Sequence, residues 1–561
     1  MMQRGDQPPE NGLDPISLEI MWQRLISIMN EVDDKIVKTT FSTILSEGRD
    51  FACILTDTYG RSLCQSAFST ATFSAVYPRT AKALLERFPI ETLRPGDVIA
   101  TNDPWLGTGH LPDYVLLAPV FVAGRVIACV GTVSHMSDVG GHPGEIESDD
   151  VFSEGLCMPP FKLYDAGVEN ELAFDVIGAN CRAPELLLGD LRAMAGAARV
   201  ASDRFTEYVD DYGLTDLEAI ADEIVRRSER YMRSRISALP DGSYTYGMEI
   251  DGYIETVHLQ ACVTIAGDTI HVDYEGTSPQ SPHGSINSSY NSTLASSMYV
   301  FKCALASDVP NNEALFTPIR VTAPEGSILN ARFPAPVKAR AKTINNLNQV
   351  LFGALWPVLG DHVQASNGGI WPLVLKGREA GRSYLVDMLP HGGRGALPGM
   401  DGMLPVSYPE NSTITPCEVI ETRAPIRFHR KALRLDTGAP GRHRGGVGQS
   451  IVFEHVGAEA MTFSLTPDRI TTSPQGLAGG HHAARGTVRI NGEAVYRFPA
   501  ITLRPGDVVS LDIAGGGGFG DPAERQPDRI ERDIADGLVT REAARRDYGF
   551  GAQGAEPEPE A

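Results

Sequence analysis

The 561-residue sequence predicts an α+β protein of several domains: mixed β-sheets, an N-terminal α/β region and a β-rich C-terminal region. Three observations carry that prediction. The length is several times the roughly 150 residues that a single core serves. Apolar residues recur at helical spacing between 14 and 36 and again within 184–238. Elsewhere, and above all in the last third, short apolar or alternating runs are broken by Gly and Pro, as in strands joined by tight turns. The expected division is an N-terminal α/β domain over 14–240, a central α+β domain over 241–435, a β-rich domain over 436–523 and a helical segment over 524–550. Polar, Pro-rich tails at 1–13 and 551–561 carry too little apolar surface to order themselves.

Each element follows from local chemistry. Asp14 caps a helix that Pro15 opens, and Leu18, Met21, Trp22, Leu25, Ile28, Met29, Val32 and Ile36 form its core stripe. Residues 51–55 are a short apolar strand closed by the turn "DTYG", and "AKALLERF" reads as helix. "LRPGDV" occurs at 93–98 and again at 503–508, with unlike flanks, so it is one turn chemistry used twice. "YVLLAPVFVAGRVIACVGTVSHM" is a hairpin of buried strands turning at "AGR". Residues 184–238 are mainly helical, 257–276 form a second hairpin turning at Ala266-Gly267-Asp268, and 293–306 are helical again. A last helical stretch begins after "GGGGFGDP".

Composition excludes several classes of function. A net charge of −22, from 71 acidic and 49 basic residues, is the opposite of a nucleic-acid-binding surface. No apolar run reaches the roughly 18 residues that span a membrane, and the N-terminus lacks a secretory pattern. Eight scattered cysteines without a C-x-x-C pair read as reduced thiols, which places the protein in the cytoplasm. Cys53, Cys129 and Cys303 lie within apolar runs and read as core.

The chemistry concentrates in "TNDPWLGTGHLPDYVLLAPVF". His110 and Asp113 flank the stiff Pro112 just before the first hairpin strand, and His135 ends the second, so the hairpin brings the three together. Glu47, just before an earlier strand, supplies a fourth candidate ligand. Asp103 and Asp138 are candidates for holding the imidazoles in one tautomer or accepting a proton. Imidazole nitrogens and carboxylates suit a hard or borderline divalent ion, Mn or Zn. The competing reading is a polar sheet rim satisfied by backbone groups. "DVGG" at 138–141 resembles a phosphate loop of actin-like ATPases, but no second copy and no G-x-x-x-x-G-K-[ST] accompany it. "GGGGFGDP" and "RHRGGVG", with Arg442 and Arg444, read either as anion cradles or as closely packed turns.

Taken together, "NDPWLGTGHLPD", "SHMSDVGGHPGE", "SEGLCMPPFKLYDAG", "NCRAPELLLGDLRA", "GAPGRHRGGVG" and "GGGGFGDP" resemble, in this order, the hydantoinase B/oxoprolinase family over nearly the whole chain. The resemblance implies one half of a two-part machine. A hydantoinase A-like partner with an actin-like fold binds ATP and phosphorylates a carbonyl substrate. The B component holds a divalent metal and completes the reaction, which makes the assembly a hetero-oligomer. In one branch a cyclic amide (hydantoin, 5-oxoproline or lactam) is opened by an activated water; in another a ketone is carboxylated. The ligand set of the ketone-carboxylase branch would fall on Glu47, His110, Asp113 and His135. Many members carry two adjacent histidines where this chain has Ser134-His135. A third possibility is a non-catalytic scaffold for the ATPase.

Overall fold

The computed structural model describes residues 14–142 and 146–551. Except for Gly551, the tails expected at 1–13 and 551–561 lie outside the described residues.

The opening helix, Pro15–Thr39, begins as its cap dictates: Asp14 accepts from Ile16 N and Ser17 N. Of the predicted stripe, Leu18, Trp22, Leu25, Ile28, Met29, Val32 and Ile36 are buried, and Met21 is half-buried. They pack on one face of a seven-stranded antiparallel sheet. Its strands are β1 (Phe51–Thr56), β2 (Ser62–Gln65), β3 (Val98–Thr101), β4 (Asp113–Val122), β5 (Arg125–His135), β6 (Phe161–Asp165) and β7 (Val168–Glu169), in the order β2-β1-β5-β4-β3-β6-β7. Long helix Pro184–Tyr212 completes that layer. The opposite face is covered by helix Ala71–Arg87 through Phe73, Tyr77, Ala81 and Leu84. Helices on both faces explain why the strands read as continuous apolar runs: Cys53 and Leu55 enter one core, Ala52 and Ile54 the other. Leu25 is fully buried, and Leu25→Ala is expected to cost about 2–5 kcal/mol in a denaturant titration.

A second sheet, β8 (Gly242–Ile250), β9 (Val257–Ala266), β10 (Thr269–Asp273) and β11 (Ile319–Thr322), is mixed, since β10 and β11 pair in parallel. Its hairpin turns at Gly267, whose φ is +61°, and helices Tyr290–Leu305 and Leu347–Leu359 share its core. A third core lies between two further sheets. One has β12 (Leu373–Glu379), β13 (Arg382–Met388), β16 (Met461–Leu465) and β19 (Ile501–Leu503). The other has β14 (Ile426–Leu433), β15 (Gln449–His455), β17 (Thr487–Ile490), β18 (Glu493–Val495) and β20 (Val508–Asp512). The first of these sheets draws strands from both sides of residue 435. Helices Pro527–Ala535 and Arg541–Tyr548 close the chain.

The repeated hexapeptide is one turn built twice. Arg94 N donates to Asp97 Oδ2 at 2.9 Å, and Arg504 N to Asp507 Oδ2 at 2.6 Å; Gly96 and Gly506 have φ of +87° and +89°. β3 and β20 start directly after these turns.

The glycines of the last third pack backbone against backbone. A Cβ on Gly393, Gly402, Gly445, Gly446, Gly516 or Gly517 would run into a carbonyl of a neighbouring segment. Gly516 N donates to Gly446 O, Gly517 N to Ser366 O and Gly518 N to His481 O. "GGGGFG" is therefore no anion cradle, because these N–H groups are spent inside the protein. Of the arginines of "RHRGGVG", buried Arg444 is spent on Asp533 at 3.2 Å, and exposed Arg442 makes a surface pair with Glu524 at 3.4 Å. All eight cysteines are unpaired, as expected. Cys303 departs from its core reading; it is exposed, because the helix turns Val300, Phe301, Ala304 and Leu305 inward instead.

Candidate metal centre

The hairpin builds the site. Ala123 and Gly124, with φ of +49° and +79°, form the two-residue turn, and the resulting register sets Asp113 directly opposite His135. His110 reaches the same point from the preceding loop. Gly109 has φ +99°, and a Cβ there would strike Ser292 and Arg340. This is one glycine the approach of His110 requires.

His110 Nε2 lies 2.7 Å and His135 Nδ1 3.0 Å from the same Asp113 oxygen, Oδ1. One ligand atom from each of the three residues falls within 4.8 Å of the others. The second Asp113 oxygen accepts from Thr108 Oγ1 and, at 2.8 Å, from Arg340 Nη2. On its far side His110 Nδ1 meets the Lys338 carbonyl at 2.7 Å. A carbonyl only accepts, so Nδ1 carries the hydrogen and Nε2 presents its lone pair to Asp113. Burial and the Arg340 charge push His110 down to about 4, so this ring is neutral at pH 7. A ring lone pair facing a carboxylate oxygen at 2.7 Å makes a place for a proton or a metal cation between the two. Burial opposes the charge on His135, but the hydrogen bond and charge of Asp113 raise it to about 9. Burial also resists ionisation of Asp113, yet the Arg340 charge and the hydrogen bond from His135 hold it well below the usual carboxylate range. Two imidazoles converging on an ionised carboxylate fit a divalent ion.

His110 and His135 line a cavity of about 130 Å³ between the N-terminal sheet, the segment 338–345 and the third core, and Asp113 lies behind them. Lys338, Arg340, Lys342 and Lys376 contribute cations to its wall, and Asp50, Asp138, Asp387 and Glu410 carboxyls. Burial pushes Asp50 up to about 6 and Glu410 up to about 7, with Asp50's charge adding to the second.

Of the residues expected from sequence, His110, Asp113 and His135 come together. Glu47 does not join them; it caps the short helix Thr43–Ser46, and its carbonyl accepts from Thr413 Oγ1. Asp50, three residues on, lines the cavity and feels the charges of His135 and Asp113. Asp138 also lines the cavity, but its carboxylate holds Arg182 at 2.8 Å rather than an imidazole. Asp103 folds the loop, accepting from Trp105 N at 2.8 Å. The tautomer-fixing role expected of these two aspartates belongs to the Lys338 carbonyl. Neither it, Arg340 nor Glu410 carries a local motif; the partners lie 228 and 227 residues apart in sequence for His110–Lys338 and Asp113–Arg340.

The family model for hydantoinase B/oxoprolinase matches residues 14–522. A proposed D-/L-hydantoinase B component of Pseudomonas sp. (strain NS671) is 32% identical over 96% of this chain and 95% of its own length. The crystal structure of the ATP-dependent caprolactamase from Pseudomonas jessenii superposes with a TM-score of 0.87 at 27% identity, covering 96% of both chains. The nucleotide-free acetone carboxylase structure shares the fold, with a TM-score of 0.86 at 19% identity over 96% of this chain and 79% of that one. No described helix is long and apolar enough to cross a membrane. The chain belongs to the hydantoinase B/oxoprolinase family.

Proposed function

We propose that this protein is the metal-binding component of an ATP-dependent cyclic amide hydrolase, opening a hydantoin, 5-oxoproline or lactam ring that a hydantoinase A-like ATPase has phosphorylated. The observation that supports it most is the His110–Asp113–His135 cluster, whose two imidazoles line a cavity that also carries Lys338, Arg340, Lys342 and Lys376 in its wall. The donors suit a divalent ion, and the cations suit a substrate that arrives bearing phosphate. Asp50 stands in for Glu47 as the fourth donor. When bound, the ion supplies Lewis acidity toward an oxygen of the substrate and acidifies water.

The chain's own residues do the rest. The Lys338 carbonyl holds His110 with Nε2 free to coordinate, and Arg340 with Thr108 holds Asp113 so that Oδ1 faces both rings. Asp138, tied to Arg182, shapes the cavity wall, and Asp103 shapes the loop that delivers His110. ATP is bound by the partner in this reading. Similarity to a hydantoinase component and a caprolactamase favours the amide over the ketone branch, since the likeness to acetone carboxylase is one of fold.

The test is co-purification with the partner ATPase and assay of ATP turnover on hydantoins, lactams, 5-oxoproline and ketones. Ring opening without bicarbonate is expected. ATP turnover that needs both bicarbonate and a ketone would overturn the amide reading.

A further inference from the structure

Glu154, in "SEGLCMPPFKLYDAG", is almost fully buried and does not line the metal cavity. It follows the short helical turn Val151–Ser153, which Asp150 caps by accepting from Ser153 N at 3.0 Å. Its segment lies against the chain that leaves β5: His142 N donates to Ser153 O at 2.7 Å, and Leu156 N to Val139 O at 2.9 Å. Gly155 permits that approach, since a Cβ there would strike the Val139 carbonyl. Fixed in this way, the Glu154 carboxyl meets the backbone of Val337 and Lys338. Oε1 accepts from Val337 N and from Lys338 N, each at 2.9 Å, and Oε2 from Val337 N at 3.1 Å.

That backbone sets the metal ligands. The Lys338 carbonyl fixes the His110 tautomer at 2.7 Å, and Arg340, two residues on, holds Asp113 at 2.8 Å. A carbonyl selects one tautomer only while its own peptide is held in place. Ala339 N, in the same peptide as the Lys338 carbonyl, donates to Ser285 O at 2.9 Å, and Arg340 N donates to Val337 O at 3.1 Å. The N–H groups just before that carbonyl, those of Val337 and Lys338, are the ones that Glu154 takes. With an apolar side chain at 154, both would lose their acceptor inside the protein and turn toward others, and the Lys338 carbonyl would turn with them.

On the metal-binding reading proposed above, we infer that Glu154 is a positioning residue of the metal centre. By holding Val337 N and Lys338 N it keeps the Lys338 carbonyl against His110 Nδ1, and so keeps His110 Nε2 free to coordinate. Its part is to hold the backbone, and no proton moves through it.

The experiment titrates the purified chain with Co²⁺ and follows the visible d–d bands, which needs neither partner nor substrate. In Glu154→Met the dissociation constant is expected to rise about 10-fold or more, with altered bands, as a mispositioned ligand requires. Glu154→Gln should restore most of the affinity, because an amide oxygen in the place of Oε1 accepts the same two N–H groups. Leu511→Ala, whose side chain lies in the third core and does not line the cavity, should bind as the wild type does. The wild-type chain gives a readout independent of any variant. Linkage is reciprocal, so Co²⁺ should slow hydrogen exchange at the Val337 and Lys338 amides by a similar factor, about 10-fold. Wild-type affinity in Glu154→Met, an equal loss in Glu154→Gln or Leu511→Ala, or amide exchange that Co²⁺ leaves unchanged each overturns the inference and leaves the metal reading intact. A wild-type chain that binds no divalent ion overturns both.

Discussion

His110→Ala is expected to lose the divalent ion and, with it, at least about 100-fold in ring-opening activity, since loss of even a supporting group costs about 10–100-fold in metal affinity or activity. The expectation follows from the convergence on one oxygen. His110 Nε2 and His135 Nδ1 both face Asp113 Oδ1, and only His110 has its tautomer set from behind by a carbonyl. Removing that ring leaves Asp113 with His135 and Arg340, an ion pair that needs no metal. Metal content by atomic emission, read beside activity in the partner complex, makes the check. Activity surviving without His110 would favour a scaffold role and sink the metal reading. Folding should be little disturbed, because the Lys338 carbonyl borders the cavity and can be hydrated.

Gly445→Ala is expected to destabilise the fold by about 3 kcal/mol or more, at the upper end of overpacking costs. The new Cβ would overlap the Gly516 carbonyl, with Gly517 O next in line. Both neighbours are backbone in a region where segments hydrogen-bond to one another, so neither can swing aside as a side chain would. Gly196→Ala is the matched control. It lies within helix Pro184–Tyr212, nothing stands within 4 Å of the added methyl, and its expected effect is a gain of roughly 0.5–1 kcal/mol. Denaturant midpoints of the two variants decide the matter. A Gly445→Ala protein as stable as wild type would show that the glycine packing is slack.

Much of the fold was legible because its signals are local. Asp14-Pro15 and the stripe behind it specify a helix wherever they occur, and the Arg94–Asp97 and Arg504–Asp507 contacts build the same turn in two unrelated settings. The hairpin was readable for the same reason, and its register carried His135 to Asp113 before any tertiary contact was considered. Glu47 marks where local reasoning stops. It stands three residues from Asp50 in sequence, but the turn between them points only Asp50 into the cavity.

By itself, then, the sequence determined the elements, the hairpin and three metal-ligand candidates, because each depends on neighbours along the chain or on one strand pairing. Tertiary structure alone decided the rest of the site. The Lys338 carbonyl, Arg340 and Glu410 reach the cavity across more than 200 residues, through packing of separate cores against one another. It also decided the glycines. A run of four carries no mark of whether its N–H groups await an anion or another backbone, and only the approach of the 366, 446 and 481 segments assigned them to the protein itself.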